Sequence, residues 1–417
     1  MKTLVVYADF DWLDSPKIIG ELGYESLRGS DSYSFKFDTG WLRTYGELFL
    51  SADLNNYPGY QYTKPEKDIF GCFSDALPDR WGRLLLNRRE QILASESKRS
   101  VRKLSSFDYL TGLDDYSRMG GFRFKESADG DFINTSTRLR LPPLTELRSL
   151  AEAASEIEKG EELNVLPDGK WLKQLLLPGT SLGGARPKAV VVDTDGVLYM
   201  AKFPSRTDDY DVALWEHLSH LLAKQSGIDV PKTSMISTGQ KYHTFLSQRF
   251  DRTKTGKRIH YASAMTLLGL SDGDNANAGY GYLDIVDFII QNCCDVEYNL
   301  RQLFRRVAFN VAIGNSDDHF RNHGFLLTRK GWTLSPAFDL NPSDSGYQSL
   351  LITPSSSRSD LGLLMESSEY YMIERSEAKQ IIGEIKDALG YWERLASRIG
   401  ISKSEIDSFR HIFSDRV

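Results

Sequence analysis

The sequence predicts an α+β protein that folds as more than one unit. Residues 1 to about 60 contain short apolar and aromatic runs, such as residues 4–7 and 34–37, separated by Gly, Asp and Asn. This pattern is typical of antiparallel strands. From residue 212 onward, apolar residues recur instead at the spacing of amphipathic helices. A chain of 417 residues is also too long for one ordinary core, so we expect two or three packed units.

Composition and charge exclude several classes of protein. Hydrophobic residues make up 41% and charged residues 26% of the chain, the balance of a globular protein rather than a disordered or fibrous one. A formal net charge of -6 argues against nucleic-acid binding through bulk electrostatics, because phosphate contacts need clustered Lys and Arg. The three cysteines suit neither a disulfide framework nor a zinc site, so a reducing cytoplasm fits best. The N-terminal apolar run is too short for a signal peptide, and no stretch approaches a membrane span.

Turn-rich stretches suggest the domain organisation. Residues 141–143 (Leu-Pro-Pro) read as a linker into a helix that Thr145 could cap. A hairpin that follows a glycine-rich turn is predicted over residues 188–203. We expect a β-rich N-terminal part at residues 1–130, a middle part at residues 131–253 with the glycine-rich loop and Lys202, and a helical part at residues 254–417.

A polar segment at residues 314–323 follows the apolar run of residues 307–313. Such a segment is typical of the point where a buried helix ends. Residues 324–334 then read as a hairpin, and its return strand leads to Asp339. The hairpin is therefore expected to bring Asp339 back beside Asn322.

The spacing of the polar residues indicates phosphoryl transfer. That reaction needs a carboxylate near the attacking hydroxyl and oxygen ligands for magnesium. Protein kinases place the catalytic Asp five positions before a metal-binding Asn and add a second metal-binding Asp after a short hairpin. Asp317 and Asn322 are five positions apart and Asp339 takes the third role, whereas Asp318 misses the spacing. A lone Asp would more often be a loop or capping residue, but the triplet favours a catalytic Asp317 and a magnesium site at Asn322 and Asp339.

A glycine-rich loop and a lysine would complete a kinase site. Small residues before Lys188 allow backbone N–H groups to approach phosphates. Lys202 lies in a strand between apolar neighbours and needs an anionic partner, which Glu216 in the next helix could supply. Both features have alternatives, since a glycine pair in a turn is usually structural and Lys202 could equally be a solvated edge residue. The candidate phosphate-binding residues are Gly183, Gly184, Ala185, Arg186, Lys188 and Lys202.

Two further side chains complete the candidate set. His319 lies inside the polar segment, and we expect it to contact nucleotide rather than metal, because the sequence has no zinc spacing. Ser181 at the start of the glycine-rich loop has no Gly-x-Ser-x-Gly elbow around it, so acyl transfer is disfavoured.

Several separated segments resemble the HipA family of type II toxin kinases, and the likeness runs over nearly the whole chain. Residues 317–322 look like the family's Asp-x-His-x-(Lys/Arg)-Asn catalytic segment, and residues 335–340 look like its metal aspartate segment. Residues 181–188 resemble the loop whose serine is autophosphorylated in that family. Residues 249–252 (Arg-Phe-Asp-Arg) are similar to the run after the interlobe strand, and residues 73–80 look like the signature of the N-terminal domain.

The resemblance implies a bilobal protein-kinase-like fold with an additional N-terminal β-rich subdomain and a mainly helical C-terminal lobe. It implies ATP and Mg2+ as cofactors, with Gln248 and Phe250 bracketing the adenine, and autophosphorylation of Ser181. It also implies a helix-turn-helix antitoxin partner of the HipB type, DNA binding only through that partner, and no membrane. Characterised relatives modify aminoacyl-tRNA synthetases, so the resemblance implies a protein substrate of that kind. Arg186 and Pro187 depart from the more polar residues of well-known members.

The sequence thus predicts an ATP-dependent protein serine/threonine kinase, the toxin of a toxin–antitoxin module, regulated by autophosphorylation in its glycine-rich loop. Two alternatives stay open. A small-molecule kinase would fit, because sugar and aminoglycoside kinases also use an Asp, an Asn and a second Asp. A binding protein with a catalytically dead kinase fold is the other, and the intact set of Asp317, Asn322 and Asp339 argues against it.

Overall fold

The structure is a computed structural model that describes residues 1–27, 30–135, 141–176 and 184–414. The chain divides into two compact units. The N-terminal unit comprises Met1–Thr207, Thr238–Gln240 and Asp251–Ala262. The C-terminal unit comprises Asp208–Ser237, Lys241–Phe250 and Ser263–Val417. The three-part division expected from the sequence stays a prediction.

The N-terminal unit contains a five-stranded antiparallel sheet. Its strands are β1 (Lys2–Ala8), β2 (Lys17–Leu27), β3 (Ser30–Phe37), β4 (Tyr60–Tyr62) and β5 (Phe122–Lys125). The order across the sheet is β4-β3-β2-β1-β5, and all four neighbouring pairs run antiparallel. The antiparallel strands predicted for the first 60 residues are therefore confirmed.

Helices and one further hairpin complete the N-terminal unit. The helices are α1 (Thr39–Tyr45), α2 (Gly71–Ser74), α3 (Arg80–Glu96), α4 (Ser106–Gly112), α5 (Leu147–Glu162) and α6 (Gly169–Leu176). The hairpin consists of β6 (Lys188–Val192) and β7 (Leu198–Lys202). Its antiparallel register, which pairs Lys188 with Lys202, confirms the hairpin expected over residues 188–203.

Aromatic side chains form the core between the sheet and the first helices. The Phe73 ring lies 5.5 Å from the Phe35 ring of β3 and 5.6 Å from the Phe122 ring of β5. All three side chains are almost fully buried. Burial of one such side chain contributes about 1.5–3 kcal/mol, so this aromatic cluster holds α2 against the sheet.

Pro78 separates α2 from α3, because it has no N–H for a helix interior. Asp79 then begins α3 as its cap. Thr145 is not a cap, since it lies in a 3-10 turn and α5 begins at Leu147 without a side-chain cap.

His260 is buried in the core of the N-terminal unit. Its ring lies 4.9 Å from the Phe10 ring, in a stacked arrangement, and 4.2 Å from the Phe122 ring. The Gly121 N–H donates to Nδ1 at 3.4 Å. Burial lowers the pKa of His260 from 6.5 to about 3, so the folded chain keeps this ring neutral.

We expect mild acid to destabilise the protein through His260. Between the two pKa values the unfolded chain binds a proton that the folded chain does not, so the free energy of unfolding falls as the pH decreases. The slope is about 1.4 kcal/mol per pH unit, or about 2 kcal/mol between roughly pH 6.5 and 5. Urea unfolding at a series of pH values measures it. His260→Phe should remove this part of the pH dependence, and equal slopes in both proteins would contradict the assignment.

The C-terminal unit is mainly helical. Its helices are α7 (Val212–Gln225), α8 (Ala264–Leu267), α9 (Tyr282–Asn292), α10 (Val296–Ile313), α11 (Leu361–Glu366), α12 (Arg375–Leu389), α13 (Trp392–Ile399) and α14 (Lys403–Ser414). Its strands are β8 (Thr233–Ile236) and β9 (Thr244–Gln248), the end of β10 (His260–Ser263), and β11 (Gly324–Thr328) and β12 (Gly331–Leu334). The pairs β8–β9 and β11–β12 are antiparallel hairpins.

Stacked aromatic rings join three helices of this unit. Trp215 of α7 stacks on Phe409 of α14 with ring centroids 3.9 Å apart, and Trp392 of α13 stacks on Phe413 of α14 at 4.4 Å. Trp215 and Trp392 are buried, as the helical spacing of the sequence predicts.

Within the described ranges, no helix combines the length and the apolar character that crossing a bilayer requires.

Candidate active site

The polar segment of the sequence begins where α10 ends. Gly314 closes the helix in the left-handed region, with a φ of 67°, and its N–H bonds to the carbonyls of Asn310 and Val311. A glycine suits this position because it has no Cβ to oppose a positive φ. The 3-10 turn Phe320–Asn322 then leads into β11. The predicted end of a buried helix at this point is confirmed.

Asp317 and Asn322 are joined through the backbone of Asp317. The carbonyl oxygen of Asp317 accepts hydrogen bonds from the His319 N–H at 3.1 Å and from the Asn322 side-chain amide at 2.8 Å. The Asp317 side chain is 88% exposed, so its carboxylate points away from the protein interior. This bond fixes the orientation of the Asn322 amide, whose side-chain oxygen is the atom that can bind a cation.

Asp318 has a different environment from its neighbour. Its side chain is 4% exposed, and its carboxylate accepts hydrogen bonds from Tyr282 Oη and Asn310 Nδ2, each at 2.7 Å. The Nε2 atom of His323 lies 3.0 Å from the other carboxylate oxygen. Burial by itself raises the pKa of Asp318, but the His323 charge and the hydrogen bonds from His323, Tyr282 and Asn310 outweigh it and hold the pKa below its ordinary value. Asp318 is therefore a buried carboxylate that ties the polar segment at residues 314–323 to α9 and α10.

His319 lies beside the exposed carboxylate. Its Nε2 atom is 4.0 Å from Asp317 Oδ1, and its side chain is 41% exposed. Its Nδ1 atom is buried and has no hydrogen-bond partner among the described residues. The ring is thus placed at the edge of the carboxylate, where a bound molecule could contact it.

The β11–β12 hairpin returns the chain toward the polar segment, as the sequence predicts. Phe325 pairs with Leu334, and the Ser335 N–H donates to the Gly324 carbonyl at 2.9 Å. The segment that leaves Asn322 and the segment that leads to Asp339 therefore meet at the same end of the hairpin. Arg306 of α10 also donates to the Ser335 carbonyl, so α10 supports both segments.

Asp339 has an unusual backbone conformation. Its φ is 59°, in the left-handed region that few non-glycine residues adopt, although Asp is one of the more tolerant types. Such conformations cluster at functional sites because surrounding structure has to hold them. The ring of Phe338 lies 5.6 Å from the ring of Phe250, which follows β9. This contact places Phe250, a predicted adenine contact, beside the segment that carries Asp339, and Gln248 lies at the end of β9.

The glycine-rich loop and its lysines lie in the N-terminal unit. Gly184 has a φ of 100°, which favours glycine, and Gly184 and Ala185 are exposed while Arg186 is half-buried. Lys188 is almost fully buried, and its Nζ atom lies 3.0 Å from Asp79 Oδ2. Two predicted site residues, Ser181 and Gly183, lie outside the described residues.

The predicted site residues thus form two groups, one in each unit. Asp317, His319 and Asn322 are in mutual contact in the C-terminal unit, and the β11–β12 hairpin links their segment to the one that carries Asp339. Lys188 and Lys202 face each other across β6–β7 in the N-terminal unit. Glu216 is buried in α7 of the C-terminal unit.

Sequence reasoning missed the role of the charged end of the Arg-Phe-Asp-Arg run. Asp251 accepts a hydrogen bond from the Gly120 N–H at 2.9 Å, and Arg252 pairs with Asp251 and donates to the Arg118 carbonyl at 2.9 Å. All of these residues belong to the N-terminal unit. The family pattern marks the run, but its partners lie more than 130 positions away in sequence, so no local pattern reveals this anchoring role.

The sequence model of a family described as "HipA-like C-terminal domain" matches residues 180–392. The chain belongs to the HipA family. The match contains the glycine-rich loop from Thr180, the β6–β7 hairpin and the segments that carry Asp317, Asn322 and Asp339.

Two curated relatives and one solved structure agree with this assignment. The "Putative kinase" of Haemophilus influenzae is 28% identical over 179 residues, which are 39% of this chain and 52% of that protein. The "Serine/threonine-protein kinase toxin HipA" of Shewanella oneidensis is 24% identical over 227 residues, which are 48% of this chain and 51% of that protein. The chain therefore spans about half the length of the curated relatives it matches.

A solved structure extends the likeness over the whole HipA fold. The HipA–HipB–operator DNA complex of Shewanella oneidensis contains a chain that matches with a TM-score of 0.66 at 17% identity, over 99% of this chain and 95% of that chain. At this identity the likeness shows the fold alone. The predicted fold class is confirmed: an α+β, HipA-like kinase fold with an N-terminal β-rich part and a mainly helical C-terminal part.

Proposed function

We propose that this chain is an ATP-dependent protein serine/threonine kinase and the toxin of a toxin–antitoxin module. The observation that carries the proposal is the hydrogen bond between Asp317 and Asn322. Asp317, whose side chain is 88% exposed, accepts a hydrogen bond through its backbone carbonyl from the side-chain amide of Asn322, five positions later. Protein kinases use this spacing for the residue that orients the attacking hydroxyl and for a magnesium ligand.

The side chains present fit a magnesium-bound nucleotide. Magnesium prefers hard oxygen ligands, and the Asn322 side-chain oxygen and the Asp339 carboxylate are of that kind. When bound, the ion would neutralise charge on the transferring phosphoryl group. Gly183, Gly184, Ala185, Arg186 and Lys202 would hold the phosphates, and Gln248, Phe250 and His319 would contact the nucleoside. Lys188 belongs to the same loop, with its ammonium already paired to Asp79.

Asp317 would orient the hydroxyl of a serine or threonine for in-line attack and accept its proton. An exposed carboxylate suits this task because a protein substrate has to reach it from outside. The neighbouring His319 ring would limit the directions of approach. Catalysis would then depend mostly on positioning and charge neutralisation, since phosphoryl transfer leaves little covalent chemistry to the protein.

The proposed partners follow from the family. The matching Shewanella oneidensis structure holds HipA together with HipB and operator DNA. We therefore propose a HipB-like helix-turn-helix antitoxin as the partner of this chain, with DNA contact through that antitoxin. The proposed substrate is a protein, with aminoacyl-tRNA synthetases as the first candidates to test, and the proposed compartment is the cytoplasm.

The test is incubation of the purified chain with γ-labelled ATP, with and without magnesium. We expect magnesium-dependent label on protein, and mass spectrometry should locate it at Ser181. A phosphoserine carries about −1.5 to −2 charges at pH 7, so it should repel ATP phosphates from the glycine-rich loop. ATP affinity should therefore fall as label accumulates.

Matched variants separate the possible outcomes. Ser181→Ala should lose the label, whereas Thr180→Ala at the adjacent position should keep it. Label on a small molecule from a host extract would indicate a small-molecule kinase instead. Magnesium-dependent ATP binding with no transfer to any acceptor would indicate a binding protein, and stoichiometric label at Ser181 with undiminished ATP affinity would refute the inhibitory role.

A further inference from the structure

A buried ion pair connects the start of α3 to the end of the glycine-rich loop. Lys188 Nζ lies 3.0 Å from Asp79 Oδ2, and the two side chains are 2% and 3% exposed. The other Asp79 oxygen accepts the Gly82 N–H at 2.7 Å and caps α3. Asp79 thus makes two different contacts, one with its own helix and one with a residue 109 positions later. All of these residues lie in the N-terminal unit.

The Lys188 ammonium also lies close to Gly184 of the loop. A Cβ atom added to Gly184 would be only 3.2 Å from Lys188 Nζ. Gly184 has a φ of 100° and is exposed on its other side. The Lys188 ammonium therefore lies next to Gly184, and a side chain at position 184 would crowd it.

Burial of an ammonium without an anionic partner costs several kcal/mol. Asp79 removes this cost, since it supplies a buried carboxylate at contact distance. Removal of the Asp79 carboxylate takes away this buried ionic contact and weakens the hold on the Lys188 ammonium. The ammonium would then be held less firmly in its place next to Gly184.

We propose that Asp79 is a positioning residue for the glycine-rich loop, because it holds the Lys188 ammonium beneath Gly184. This inference rests on the proposed function, since it assumes that the loop binds ATP phosphates. It gives the N-terminal β-rich part a direct role at the nucleotide site. A competing arrangement predicts the opposite effect on ATP binding. If Lys188 were itself a phosphate ligand, Asp79 would restrain it, and removal of the Asp79 charge would strengthen ATP binding.

The deciding variant is Asp79→Asn. Asparagine caps helices as well as aspartate does, so α3 should keep its cap while the ion pair is lost. We expect the KM for ATP to rise roughly 10-fold, with kcat changed less than KM, because displacement of a positioning group by about 1 Å can cost up to 10²-fold. A KM that is unchanged, or lower, in the folded variant would overturn the proposal.

Asp38→Asn is the matched control. Asp38 caps α1 in the same unit by accepting the Trp41 N–H at 2.9 Å, and among the described residues it has no ion-pair partner. This variant repeats the chemical change and the capping role without the lysine. It should leave both KM and kcat at the wild-type values.

A second measurement does not depend on catalysis. Hydrogen–deuterium exchange of the peptide that covers residues 184–188 should quicken by roughly 10-fold in Asp79→Asn and in Lys188→Met, but not in Asp38→Asn. The double variant should exchange no faster than either single variant, because both changes remove the same contact. Multiplied effects, or unchanged exchange, would refute the positioning role. If the wild type transfers no phosphate yet shows this exchange pattern, the proposed function fails while the structural link stands.

Discussion

Asp317→Asn is expected to lower phosphoryl transfer by about 10² to 10⁴-fold, the usual loss when a positioned proton acceptor is removed. The fold should not change, because the Asp317 carboxylate is 88% exposed and the variant keeps the backbone carbonyl that accepts the Asn322 amide. ATP affinity should also stay close to the wild-type value, since the assigned role concerns the acceptor hydroxyl. Initial rates with labelled ATP and an ATP titration by calorimetry measure the two effects.

The control is Asp287→Asn, which makes the same change at an exposed position of α9. It should have the wild-type rate. Wild-type transfer by Asp317→Asn would remove this residue from the chemistry. Loss of ATP binding together with loss of transfer would instead move Asp317 into the nucleotide site and reassign its role.

The choice between the two adjacent aspartates illustrates what spacing alone can predict. The five-residue interval to Asn322 selects Asp317, and the structure separates the neighbours in a compatible way, with one carboxylate exposed and the other buried. The sequence could not have shown the burial of Asp318. Two of its partners, Tyr282 and Asn310, lie 36 and 8 positions earlier, and only packing of α9 and α10 brings them together.

Local elements were predictable because their signals are local. The β6–β7 and β11–β12 hairpins follow from turn residues between apolar runs, and α7 follows from a repeat of three and four residues. The break between α2 and α3 lies at Pro78, a residue that a helix interior does not accept, although apolar residues recur at helical spacing on both sides of it. A local backbone rule has priority over periodicity there.

Contacts between distant segments were not predictable. The sequence marks Lys188 as a phosphate-loop lysine and residues 73–80 as a separate signature, but nothing in either pattern indicates that Asp79 and Lys188 form one buried pair. Ion pairing depends on the fold that brings the segments together. The same holds for His260, whose low pKa arises from burial between Phe10 and Phe122.

Asp318→Ala is expected to lower the free energy of unfolding by about 2 to 5 kcal/mol, because it removes the acceptor of two buried hydrogen bonds. The change leaves the Tyr282 hydroxyl and the Asn310 amide without the acceptor that each now reaches at 2.7 Å. It also removes the carboxylate 3.0 Å from His323. Because these groups are buried, water cannot easily replace the lost bonds, and each unsatisfied group costs about 1–3 kcal/mol. Urea unfolding followed by circular dichroism measures the change.

The adjacent residue provides the control. Asp317→Ala removes the same side chain from an exposed position, so its unfolding free energy should stay within about 0.5 kcal/mol of wild type. The two variants are thus expected to show opposite effects. Asp317→Ala should be as stable as wild type but inactive. Asp318→Ala should be less stable, and its activity should fall with the folded fraction and with the order of the polar segment. Asp318→Asn, which keeps one acceptor oxygen for Tyr282 or Asn310, should fall between wild type and Asp318→Ala in stability. Equal stability of Asp317→Ala and Asp318→Ala would show that the buried carboxylate does not hold the polar segment in place.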